Sequence, residues 1–132
     1  VLAVKLQHLP AWTDKRREKA YLYNKYLRGS MVSTPTELPD VKAVYHLYVI
    51  RVDGGMRSKI REHLKSNGIA TGIHYPIVLP NLKAYSYLCG HPTDYPNATM
   101  TSKEILSLPM YPELSEHHIE YISSKICKFY DN

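Results

Sequence analysis

The run Val44-Tyr45-His46-Leu47-Tyr48-Val49-Ile50-Arg51-Val52 is the densest β-branched and aromatic stretch in the chain, and it reads as a strand. Val44, His46, Tyr48, Ile50 and Val52 share one face, and Tyr45, Leu47, Val49 and Arg51 the other. Both faces are largely apolar, so the strand is expected at the centre of a sheet. The turn Asp53-Gly54-Gly55 ends it, and a helix is predicted from Met56 to Asn67, with Met56, Ile60 and Leu64 on one side. Gly68 is placed to take the left-handed conformation that closes a helix.

After that cap a second strand is predicted from Ile69 to Tyr75, followed by breaks at Pro76 and Pro80. A helical turn is expected over Asn81 to Leu88, and a helix from Pro96 to about Leu106. Leu106 to Tyr111 reads as a third strand, which Pro109 and Pro112 assign to a sheet edge. Ser115 suits an N-cap, with Glu116 at the positive end of a last helix whose buried stripe is Ile119, Ile122, Ile126 and Phe129.

Upstream of the opening strand, Ser30 to Lys42 reads as a loop. A first helix is predicted from Pro10 to Leu27, with Pro10 in its first turn. Leu9, Trp12, Ala20, Tyr23 and Leu27 form its apolar stripe, which Arg16 interrupts. The basic run Lys15-Arg16-Arg17, with Asp14 and Glu18 interspersed, reads as a solvated helix face. The sum is an α/β layer: a sheet of about three strands with helices packed on it.

The 132 residues fit one domain, 1–132, and 44% apolar residues suffice for a core. The net charge of +5 raises a nucleic-acid reading, but no basic-aromatic motif or helix-turn-helix supports it. No stretch approaches the roughly 18 apolar residues of a membrane span, and Val1 to His8 lack the zones of a secretion signal. The expected setting is therefore cytoplasmic, with Cys89 and Cys127 as thiols rather than a disulfide. The chain opens on Val1 rather than on methionine, which reads as a piece of something longer.

Self-sufficient chemistry is not evident. None of the seven histidines has the spacing of a metal site, and no nucleophile motif, GxGxxG or phosphate loop occurs. The most unusual segment is Gly68-Ile69-Ala70-Thr71-Gly72-Ile73-His74-Tyr75-Pro76. It sets a histidine and a tyrosine at a strand end before a proline-bent loop, a common place for ligand contacts. The same residues also suit half-buried, satisfied positions near a sheet edge, and both readings stand at this point.

Four ordered segments resemble the small C-terminal domain of the DegT/DnrJ/EryC1/StrS family of PLP-dependent sugar aminotransferases. They are Val4-Lys5-Leu6 through Tyr23-Asn24, Val44 to Val49, Gly68 to Pro76, and Ile105 to Leu114. The resemblance implies a fold like the C-terminal domain of fold-type I PLP enzymes. It implies amino transfer, usually from glutamate, to a nucleotide-linked keto sugar. His74 and Tyr75 are the substrate-binding candidates it suggests, with Thr71 and Gly72 shaping the strand end behind them.

No catalytic or cofactor-binding residue is expected in this chain. The resemblance places the PLP lysine in an N-terminal PLP-binding domain, the missing partner, and implies that the whole enzyme is a homodimer. The chain alone is expected neither to hold PLP nor to transaminate. One departure stands out: where the family usually carries a second histidine and a glutamine after His74-Tyr75-Pro76, this chain has Pro80 and Leu82. The rival reading is a stand-alone regulatory module that binds a small molecule without catalysis.

Overall fold

A computed structural model describes residues 1–53, 55–88 and 91–131. The elements are α1 (Leu2–Tyr26), β1 (Val32–Ser33), β2 (Tyr48–Val52), α2 (Arg57–Ser66), α3 (Pro96–Glu104), β3 (Ile105–Leu108) and α4 (Glu116–Tyr130). Three 3-10 turns, Leu79–Asn81, Lys83–Leu88 and Pro92–Asp94, join α2 to α3. The sheet runs β1-β2-β3, and both pairs are antiparallel. This is the expected α/β layer, with β2 central and β3 at an edge.

Register places Tyr48 opposite Leu108, Ile50 opposite Leu106 and Val32 opposite Val52. These inner-face residues are buried together with Ile60 and Leu64 of α2 and Ile119, Ile122 and Ile126 of α4. Burial of this kind contributes roughly 1.5–3 kcal/mol for each large apolar side chain. α4 starts as predicted, with Ser115 Oγ accepting the His118 N–H at 3.2 Å. Helix α4 packs against α1 and α2.

Several expectations need correction. The first helix begins at Leu2, so Pro10 lies inside it. The run Leu2 to Leu9, rich in Leu, Ala, Lys and Gln, has enough helix propensity to continue across the single bond that proline removes. The central strand is shorter than its composition suggests and begins only at Tyr48, because Tyr45 has φ +46, outside any strand conformation. The segment from Ile69 to Tyr75 forms no strand, only an isolated bridge between Gly72 and Ser107. The third strand of the sheet is instead Val32–Ser33, inside the predicted loop.

The basic run is a solvated face only in part: Asp14, Lys15 and Glu18 are exposed, whereas Arg16 and Arg17 are engaged. Arg16 donates to the Met110 carbonyl at 3.0 Å. Arg17 donates to Glu37 at 2.6 Å and to the Ala43 carbonyl at 2.7 Å. Glu37 also accepts the Ala43 N–H at 2.8 Å and the Tyr45 hydroxyl at 3.3 Å. These bonds hold the loop before β2 against α1, and they keep residues 43–46 out of the sheet.

Candidate functional site

The site begins with the way α2 ends. Gly68 has φ +75, its N–H bonds to the Lys65 carbonyl at 3.0 Å, and the Ile69 N–H reaches the Leu64 carbonyl at 2.9 Å. This is a Schellman closure, and its apolar pair, Leu64 and Ile69, is buried. The chain then turns back along β3. Gly72 and Ser107 exchange two main-chain bonds, of 3.0 and 2.8 Å. Pro76 has no N–H with which to prolong the pairing.

Side-chain alternation sorts the four predicted residues. Gly72 and His74 lie on the outer side of the sheet, over Ser107. His74 Nδ1 is 2.9 Å from Ser107 Oγ. A Cβ at Gly72 would stand 2.5 Å from His74 Cε1, so the ring occupies the space where a side chain would be. Tyr75 meets the His74 ring edge-on, with centroids 5.5 Å apart, and is 73% exposed. The His74–Tyr75 peptide is cis.

Tyr75 also lines an apolar hollow of about 690 Å³ with Ile77, Leu79, Leu82, Tyr95 and Ile105. Pro80 and Leu82, the two departures from the family pattern, both belong to this wall. Thr71 faces the other way, into a separate groove of about 450 Å³ under α2 that is lined by Arg57, Arg61 and Lys65. The structure thus brings Gly72, His74 and Tyr75 together and sets Thr71 behind them.

Three participants, Ser107, Tyr95 and Ile105, are not singled out by the sequence. Ser107 is buried beneath His74 at 4% exposure, and its signal was a hydroxyl set between leucines in an otherwise apolar strand. Tyr95 and Ile105 reach the hollow only because α3 folds back beside residues 75–82, a long-range contact that no local pattern encodes. The tyrosines of this region fall into two groups. Tyr75 and Tyr95 line the hollow, whereas Tyr23 and Tyr48 are core residues whose hydroxyls burial makes harder to ionise.

The lining of the hollow does not fit PLP held as an aldimine. No lysine is buried, none lines the hollow, and no carboxylate stands there to meet a pyridine nitrogen. Lys65, in the groove under α2, is exposed. Among the described residues no three His, Cys, Asp or Glu side chains converge as metal ligands, and no helix is long and apolar enough to cross a membrane. Cys127 is half-buried, and burial raises its thiol pKa; Cys89 lies outside the described residues.

Residues 1–127 match the model of the DegT/DnrJ/EryC1/StrS aminotransferase family. The chain belongs to that family. A family relative from Geobacillus stearothermophilus, named a pleiotropic regulatory protein, is 38% identical over 98% of this chain and 35% of its own length. The dTDP-3-amino-3,6-dideoxy-alpha-D-galactopyranose transaminase of Aneurinibacillus thermoaerophilus is 30% identical over 98% of this chain and 34% of its own length. Among solved structures, S. venezuelae DesV in complex with a ketimine intermediate superposes with a TM-score of 0.92 at 28% identity. That superposition covers 100% of this chain and 35% of DesV. The chain therefore spans about a third of the length of the family members it matches.

Proposed function

We propose that residues 1–132 form the small C-terminal domain of a PLP-dependent aminotransferase that transfers an amino group from glutamate to a keto sugar carried on a nucleotide. One observation carries the reading: the likeness to DesV, a protein seen with a ketimine, extends over the whole chain at a TM-score of 0.92. The sugar class rests on relatives named as dTDP-sugar and UDP-sugar amino-transfer enzymes. In this reading a preceding domain holds PLP and supplies the lysine, the enzyme works as a cytoplasmic homodimer, and the present chain forms the substrate side of the cleft.

The residues at hand fit that part. Tyr75 and the hollow beside it offer an apolar wall for a ring face. His74 offers a ring nitrogen to a ligand oxygen, Gly72 makes room for the imidazole, and Thr71 braces the segment from the α2 side.

Helix α1 supports the two-domain reading. Leu2, Leu6, Leu9, Thr13, Arg16, Ala20, Tyr23 and Leu27 fall on one stripe at alternating spacings of three and four. Its far end is buried, with Ala20, Tyr23 and Leu27 at 1%, 0% and 2% exposure, whereas Leu2, Leu6 and Leu9 stand at 83%, 66% and 51%. The helix carries its apolar stripe beyond the core that covers it, which suits a second domain seated there.

The test is to supply glutamate and dTDP- or UDP-linked keto sugars to the polypeptide in which this chain follows a PLP-binding domain. Formation of an amino sugar, seen by mass spectrometry and reduced at least tenfold by His74→Gln, is the expected result. Failure to aminate any such sugar, together with saturable binding of a metabolite by the chain alone, would favour a regulatory module instead.

A further inference from the structure

We infer that Ser107 is a positioning residue for His74: its hydroxyl donates to Nδ1 and fixes the neutral imidazole as the Nε2–H tautomer, presenting that N–H to an acceptor oxygen of the ligand. Only the last clause rests on the reading of His74 as a ligand contact.

Ser107 lies on the outer face of β3 yet is 4% exposed, because His74 covers it. A buried hydroxyl hydrogen needs an acceptor, and one left without a partner is costly. Among the described residues Ser107 Oγ has one partner, His74 Nδ1 at 2.9 Å. If Nδ1 carried the proton, Oγ would accept it and the hydroxyl hydrogen would be stranded in the interior. Donation from Ser107 leaves nothing stranded. A neutral imidazole has one N–H, so an accepting Nδ1 places it on Nε2.

Two further contacts hold the ring in place. Gly72 leaves open the space that Cε1 fills, where any Cβ would stand 2.5 Å away. Tyr75 packs edge-on at 83°. Nε2 has no hydrogen-bond partner among the described residues, and His74 is exposed. An outward N–H favours an oxygen acceptor, such as a phosphoryl or carbonyl oxygen, and disfavours an ammonium or another donor. The serine hydroxyl thus sets what chemistry the histidine offers without touching the ligand itself.

Imidazole nitrogen NMR on 15N-histidine-labelled protein tests this, with the His74 signals assigned by their loss in His74→Gln. At a pH where the ring is neutral, we expect Nε2 protonated, Nδ1 bare and their two shifts well separated. Ser107→Ala should draw the shifts together as tautomers mix, and Ser107→Thr should restore the separation. Gly72→Ala, which displaces the ring and keeps the hydroxyl, should give the same collapse, so the result does not hang on one variant. A proton on Nδ1 in the parent, or a Ser107→Ala spectrum identical to the parent's, overturns the assignment.

Thymidine diphosphate serves as the ligand probe. Its affinity should fall about fivefold in Ser107→Ala, the scale of one oriented hydrogen bond, and recover in Ser107→Thr. A fixed tautomer with affinity unmoved by Ser107→Ala overturns the presentation of Nε2–H. A fixed tautomer in a protein that binds no nucleotide sugar overturns the functional reading and leaves the tautomer assignment standing.

Discussion

The rings of Tyr23 and Tyr48 stack with centroids 4.6 Å apart and planes 20° from parallel, joining α1 to the central strand. Both residues are fully buried, and each hydroxyl is used: Tyr23 donates to the Pro109 carbonyl at 2.9 Å and Tyr48 to Asn24 Oδ1. The contact is where helix, sheet and the turn after β3 meet. Tyr23→Phe keeps the stack and leaves one part-buried carbonyl without its donor, so it should cost about 1 kcal/mol. Tyr48→Ala removes the whole ring and should cost about 3–5 kcal/mol. Urea denaturation of the two variants checks the order, and equal losses would mean that the hydroxyls rather than the stack join these elements.

The loop before β2 should make the fold acid-sensitive through Glu37. The Arg17 guanidinium, and then the Ala43 N–H, hold the Glu37 carboxyl below the usual carboxylate range. A lowered folded-state value means that stabilisation is complete above the ordinary glutamate pKa of about 4.3 and is lost as pH falls through the lower folded value. Glu37→Gln should therefore flatten the acid side of the stability profile and leave its shape near neutral pH unchanged. Thermal midpoints measured from neutral into acid solution check this. Parallel acid losses in parent and variant would assign the sensitivity to other carboxylates.

Gly68 is required by conformation alone. At φ +75 it closes α2 and aims the following segment at β3, and a Cβ built there meets nothing within 4 Å. Gly68→Ala should cost about 1–2 kcal/mol, the penalty of the left-handed region. Gly68→Asn should cost less, because asparagine visits that region more readily. Denaturant midpoints of the pair decide, and equal costs would point to a packing requirement instead.

How much of this was legible depended on the range of the interactions. Gly68, Ser115 and the stripe of α4 were readable because a cap or a helical face is written within a few residues. The strand from Val44 was misjudged at its first half because composition reports β propensity, whereas Arg17, more than twenty residues upstream, decides where the strand begins. Val32–Ser33 was invisible because two residues carry no period, and their pairing to Val52 and Arg51 is tertiary. In the site, His74 and Tyr75 stood out by residue type. Ser107 did not, because its role exists only once Gly72 lies against β3.

The exposed start of α1 yields the last prediction. Leu2, Leu6 and Leu9 sit on the stripe that continues to buried Ala20, Tyr23 and Leu27, yet they are exposed and lie outside the core cluster. Replacing all three by serine removes little buried surface, most of it at half-covered Leu9, so the stability of the chain should change by no more than about 0.5 kcal/mol per site. The stripe is still costly to leave in water, so the unmodified chain should self-associate as its concentration rises, and the triple variant should not. Sedimentation velocity across a concentration series, with a denaturant curve for each protein, separates the two effects. A large loss of stability in the triple variant would show that the first turns of α1 are held by the domain itself. Unchanged association would place the sticky surface elsewhere, with the hollow beside Tyr75 the next to examine.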